Sequence, residues 1–169
     1  MDVRDAAFTA FVRSAGPALS RTAYFLAGDP HLAEDLVQTA LADVYVRWPS
    51  IDDPAAYARR ALVSANAAWW RRRSATELPV RTTPDAVGPD DTAAVAERAP
   101  VVAALRALPL RQREALVLRF YDDLSEADTA RAMGCTVGSV KRHTTRGLKR
   151  LRSLVEGDVA VLGRAEPSW

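Results

Sequence analysis

The sequence predicts an all-α protein: two small helical domains joined by a flexible linker, the second carrying a helix-turn-helix. Three observations predict this. Apolar residues recur at three- and four-residue steps through most of the chain, and nowhere alternate with polar ones long enough to make a strand. Residues 74–91, SATELPVRTTPDAVGPDD, break that period with three prolines, one glycine and four carboxylates. The stretch LSEADTARAMGCTVGSVKRHTTRGLKRLR, from Leu124 to Arg152, reads as a capped helix, a glycine turn and a second capped helix.

The first domain is expected over residues 5–73. Its first helix carries Phe8, Phe11, Val12, Ala15, Leu19, Ala23 and Leu26, and ends at Gly28-Asp29-Pro30. A second helix starts near His31, buries Leu32, Leu36, Val37, Leu41, Val44 and Trp48, and stops at Pro49. Asp53 caps the third, with Pro54 in its first turn, and that helix runs through Tyr57, Ala61, Leu62 and Ala65 to Trp69. The linker covers 74–91; about 18 flexible residues have an r.m.s. span of roughly 25 Å and reach about 60 Å when stretched. The two domains can then hold one partner at two separated places.

The second domain is expected over residues 92–155. Val95, Val102 and Leu105 mark one helix, and Pro109 opens another that includes Leu116, Val117 and Phe120. Ser125 caps the next, with Asp128 where a capping box usually has Glu, and Ala127, Ala130 and Met133 follow at helical spacing. Gly134 takes the turn, and Thr136 caps the last helix, where Val137, Val140, Leu148 and Leu151 form the expected buried stripe. Residues 156–169 are read as a C-terminal tail.

The formal net charge is only +2, so the basic residues matter by clustering rather than by excess. A single cysteine, Cys135, excludes an intramolecular disulfide and a multi-cysteine metal site. No apolar run approaches the ~18 residues of a membrane span, and the N-terminal MDVRDAAFTAF lacks the apolar core of a signal peptide. A soluble, cytoplasmic protein is expected. An enzyme is not: there is no glycine-rich phosphate loop, no zinc spacing and no nucleophile–base set, and His31 and His143 lie in different domains. The pairs Asp52-Asp53, Asp90-Asp91 and Asp122-Asp123 fall at turns or loops. No metal or cofactor is expected.

Nucleic acid is the better match. The last helix carries Lys141, Arg142, Arg146, Lys149, Arg150 and Arg152 with no acidic residue from Val137 to Arg152, which suits a helix lying in the DNA major groove. Lysine and arginine there can bond guanine O6 and N7 or phosphate. The third helix ends in AWWRRR: Arg71, Arg72 and Arg73 can bind phosphates bidentately and an aromatic can stack on an unpaired base. Trp69 continues the Tyr57–Ala61–Ala65 stripe, whereas Trp70 shares a more polar side with Asn66 and Arg73 and is the better stacking candidate. Arg111 and Arg113 sit at the start of the Pro109 helix, where they and the helix amides can meet a phosphate. On the second helix Asp35 and Gln38 share a side away from Leu32, Leu36 and Leu41.

Two segments carry a family resemblance. GDPHLAEDLVQTALADVYVRWPSI, followed by DPAAYARRALVSANAAWWRRR, and then LRALPLRQREALVLRFYDDLSEADTARAMGCTVGSVKRHTTRGLKRLR, resemble the extracytoplasmic-function group of bacterial sigma factors, particularly the short actinobacterial type. Together they cover more than half the chain, in the family's order and with its linker length. The resemblance implies a dissociable subunit of RNA polymerase that binds core enzyme, recognises promoter elements near −35 and −10, and helps open the duplex. It implies core docking by Glu34, Asp35, Leu36 and Gln38. It places capture of a −10 base in a loop after RRALV, at Ser64, Ala65 and Asn66. It implies −35 contacts by Lys141, Arg142, His143, Thr145 and Arg146, with Ser139 a weaker candidate. The family often has Asn at the position of Ser64 and Arg at that of His143, so base preference is expected to differ there. The implied partners are RNA polymerase core, promoter DNA and commonly an anti-sigma inhibitor, with a monomer when free. The competing reading, a free-standing helix-turn-helix regulator, lacks a dimerisation helix and leaves the first domain unexplained.

Overall fold

The computed structural model describes residues 2–76 and 92–162, with side chains over 2–76 and 96–157, and its elements are all helical. The first lobe consists of α1 (Val3–Ala27), α2 (Pro30–Arg47) with a 3-10 turn (Trp48–Ser50), and α3 (Pro54–Ala75). The second has α4 (Thr92–Arg106), α5 (Leu110–Leu116) leading into a π-helical turn (Val117–Tyr121), α6 (Glu126–Met133) and α7 (Val137–Leu162). The expected linker from 77 to 91 and the tail beyond 162 lie outside the described residues.

Local chemistry sets the boundaries. An Asp-Pro pair starts both α2 and α3: Asp29 accepts from the Leu32 amide at 2.8 Å and Asp53 from the Ala56 amide at 3.0 Å. Each carboxylate satisfies one of the helix's orphan amides, and each proline occupies a position whose amide needs no partner. Gly28 ends α1 with φ 73°, a left-handed conformation that costs glycine little. α3 continues through Ser74 and Ala75, past the expected start of the linker, and α7 continues to Leu162, past the expected start of the tail. Neither extension contains the proline that would have stopped it.

In the first lobe α1, α2 and α3 pack on one another around Ala23, Leu26, Val44, Ala58, Leu62 and Val63. Phe8 lies edge-on to Tyr45 and Trp48, with ring centroids 4.9 and 5.4 Å away, closing the far end of α1 against α2. In the second lobe α7 packs across α5 and α6. The buried side of α7 runs through Val140 and Gly147 to the partly buried Leu151 and Leu154, while Val137 and Leu148 are exposed. Val140 and Leu151 of the expected stripe face inward and Val137 and Leu148 do not: seven- and four-residue steps from Val140 select the face that meets α5.

The two lobes are not held apart. α3 packs on α6, α1 packs on α4 and on the π-helical turn, and their buried residues join one continuous apolar core.

Candidate nucleic-acid and protein interface

The helix-turn-helix forms as its residues dictate. Ser125 Oγ accepts from the Asp128 amide at 3.0 Å and donates to Asp128 Oδ2 at 2.8 Å. Aspartate is one methylene shorter than glutamate, and its contact here is with the Ser125 hydroxyl. Gly134 turns the chain with φ 63° and its amide bonds back to the end of α6. Thr136 Oγ1 then accepts from the Ser139 amide at 3.1 Å, capping α7.

Lys141, Arg142, Thr145 and Arg146 are all exposed on α7. Lys141 Nζ lies 3.7 Å from Glu126, an exposed pair worth little in water. Ser139 is half-buried and occupied, sharing a 2.9 Å bond with the Thr136 hydroxyl and accepting from Arg142 Nη2 at 3.2 Å. His143 is half-buried; burial first, and then the charges of Arg111, Arg142 and Arg146, hold its pKa below the ordinary 6.5. It stands as a neutral imidazole among cations.

Arg111 and Arg113 part company. Arg111 Nη1 donates to Glu114 Oε2 at 2.8 Å and Nη2 to the Met133 carbonyl at 3.0 Å, tying α5 to the end of α6 at the surface. Glu114 is fully buried, and burial raises its carboxyl pKa against the opposing pull of Arg111. Sequence reasoning missed Glu114; its three-residue spacing from Arg111 was the available signal. Arg113 is not free to meet a phosphate, contrary to expectation. It is 5% exposed, and it donates to the carbonyls of Leu105 (3.0 Å), Leu26 (2.8 Å), Leu108 (3.3 Å) and Arg106 (3.3 Å). A buried guanidinium has to be hydrogen-bonded this fully to be tolerated.

On α3, residues 64–66 form no loop but lie within an uninterrupted helix. Ser64 is exposed, but Asn66 follows Ala58 and Leu62 at four-residue steps and is 0% exposed, with neither amide atom partnered. Trp70 is half-buried, its indole nitrogen enclosed and unpaired, and the Arg113 guanidinium stands 5.5 Å from its ring centroid. The side holding Asn66 and Trp70 is thus an inner side in this arrangement. Trp69 is half-buried too, under the Arg73 guanidinium at 5.1 Å, and Arg71 and Arg72 are exposed. A cleft of about 490 Å³ gathers Ser64, Arg60 and Arg71 from the first lobe and Arg111 from the second.

On α2, Glu34, Asp35 and Gln38 are exposed. Leu36 is a correction: at 5% exposure it belongs to the core, because α2 turns that side to α1 and α3. Among the described residues no helix is long and apolar enough to cross a membrane, and no cluster of metal-ligating side chains occurs.

Two family models match: Sigma-70 region 2 over residues 11–76, and Sigma-70, region 4 over residues 98–151. The RNA polymerase sigma-E factor of Streptomyces avermitilis is 39% identical over 165 residues, 94% of this chain and 92% of the relative. The ECF RNA polymerase sigma factor ShbA of Streptomyces griseus is 32% identical, covering 78% and 76%. Among solved structures, the sigma factor RpoE in complex with the anti-sigma factor NepR from Bartonella quintana superposes with a TM-score of 0.71 at 25% identity, covering 89% of this chain and 97% of that one. CnrH in complex with the cytosolic domain of CnrY has the same fold, with a TM-score of 0.70 at 23% identity over 91% of this chain and 90% of that one.

Proposed function

The chain belongs to the sigma-70 family of RNA polymerase sigma factors, in its extracytoplasmic-function group, and from that premise we propose that it docks on core polymerase through α2, reads duplex promoter DNA with α7 and holds the opened strand on α3. The observation that carries this reading is the surface of α7: behind a capped glycine turn, Lys141, Arg142, Thr145 and Arg146 are all exposed on one helix with no acidic residue among them. Such a helix fits the major groove, where arginine and lysine reach guanine edges and phosphates. Glu34, Asp35 and Gln38 are the exposed docking set. Arg71 and Arg72 are free to hold phosphates of the separated strand, with Ser64 beside them on the same helix. The protein works in the cytoplasm, with the polymerase, and catalyses no reaction of its own. An anti-sigma protein is a further partner on this reading, as RpoE has NepR.

Run-off transcription with core polymerase and a promoter that the parent protein activates tests these assignments. Arg146→Ala is expected to weaken initiation by roughly 5- to 150-fold, the range of one good base contact of about 1–3 kcal/mol. Asp35→Ala is expected to raise the protein concentration needed for half-maximal initiation while leaving binding to isolated duplex DNA unchanged. Parent-like initiation by both variants at limiting concentration would overturn the site assignments.

A further inference from the structure

Arg142 is exposed on α7, yet it does not stand alone. Its Nη2 donates to Ser139 Oγ at 3.2 Å, and Ser139 Oγ shares a 2.9 Å bond with Thr136 Oγ1. Thr136 Oγ1 in turn accepts from the Ser139 amide at 3.1 Å, the bond that caps the helix. Three side chains thus make one run of hydrogen bonds from the cap to the cation. Its direction follows from helix geometry. Side chains on a helix lean toward its N-terminus and residues three apart are neighbours, so an arginine bonded three residues back lies toward the helix start. In a helix-turn-helix, that end of the second helix is the one that meets base edges.

The residue type at 139 suits this arrangement. With Thr136 as cap, Ser139 stands where a capping box carries glutamate or glutamine. A carboxylate there would pair with Arg142 and repel the phosphates of a bound duplex. A hydroxyl holds the guanidinium without neutralising it. It has one hydrogen and two lone pairs. Whichever hydroxyl donates in the Thr136–Ser139 bond, Ser139 keeps a single bonding site unused, while Arg142 keeps most of its N–H groups. A long side chain already held in place also loses less rotamer freedom on meeting a base.

We propose that Ser139 is a positioning residue for promoter reading: it touches no base, and instead holds the Arg142 guanidinium at the leading end of α7, so that discrimination by Arg142 depends on the Ser139 hydroxyl. The inference rests on the duplex-reading role given to α7 above. It replaces the direct −35 contact that the family resemblance implied for Ser139.

The test is a double-mutant cycle in holoenzyme, assembled from core polymerase and the full chain, on a promoter that the parent activates. The readout is the holoenzyme concentration for half-maximal promoter binding, and its change when each upstream base pair is substituted. Ser139→Ala keeps the backbone amide that Thr136 caps, and alanine favours helix, so the fold should survive; circular dichroism checks this. Ser139→Ala should weaken binding about threefold or more in the parent background and not at all in the Arg142→Ala background. Both single variants should lose discrimination at the same base pair, and Ser139→Thr, which keeps a hydroxyl, should retain it. Combined with Arg146→Ala, the Ser139→Ala loss should simply add. An equal loss in the Arg142→Ala background, or no loss in the parent, would overturn the positioning role and leave α7 as the reader. If Arg142→Ala itself changed neither binding nor discrimination, the duplex-reading role proposed for Arg142 would fall, and the positioning role with it.

Discussion

His143 is where a single side chain makes the function measurable. Its imidazole is held below 6.5 by burial and by Arg111, Arg142 and Arg146. Phosphates laid along α7 would offset those three charges and raise its pKa in the complex. The protonated form is then the one that binds better. DNA affinity should be level above the pKa of the complex, strengthen as pH falls through it, and level off again below the pKa of the free protein. An NMR titration of His143 with and without DNA checks the shift, and His143→Gln should flatten this part of the profile. At this scale the sequence told some things and hid others for a physical reason. Asp53, Ser125, Thr136 and Gly134 act on neighbours within four residues, so their roles could be read from spacing. Asn66 and Arg113 are fixed by what packs over them, and nothing within a few residues of either says what that is.

Between elements, α5 and α7 approach each other closely at Gly147. At Gly147 a Cβ would stand 3.1 Å from Leu116 Cδ1 and 3.3 Å from Gln112 Cβ. Gly147→Ala sets two effects against each other. Replacing a helical glycine is worth about 1 kcal/mol in propensity, while overpacking a dense core costs about 1–3 kcal/mol. Leu116 is itself buried and the Gln112 Cβ is fixed to the α5 backbone, so neither can step aside. Net destabilisation of about 1 kcal/mol is expected, read as a lower midpoint in urea denaturation of the full chain. Periodicity found these helices but could not align them. It found the start of α7 and the inward-facing Val140 and Leu151, but added Val137 and Leu148 to the buried side, because several faces of α7 carry an aliphatic residue. It also extended the Pro109 helix evenly through Phe120, where the backbone instead widens into a π-helical turn.

For the molecule as a whole, two helical lobes were legible, because an apolar period that stops and resumes around a run of prolines is a property of the sequence itself. The embrace between lobes was not: Thr22 and Asp122 are 100 residues apart in the chain, and a polar pair at that separation leaves no trace in local pattern. The same embrace makes the halves unequal when divided. Residues 2–76 on their own would keep the Asp-Pro starts of α2 and α3 and the aromatic plug around Phe8, but α1 would end with bare oxygens where Arg106 and Arg113 now sit. Amide hydrogen exchange should quicken in the last turn of that helix, relative to the intact chain, and scarcely change around Trp48. The amino-terminal half would thus carry, at one frayed tip, the imprint of the half it had lost.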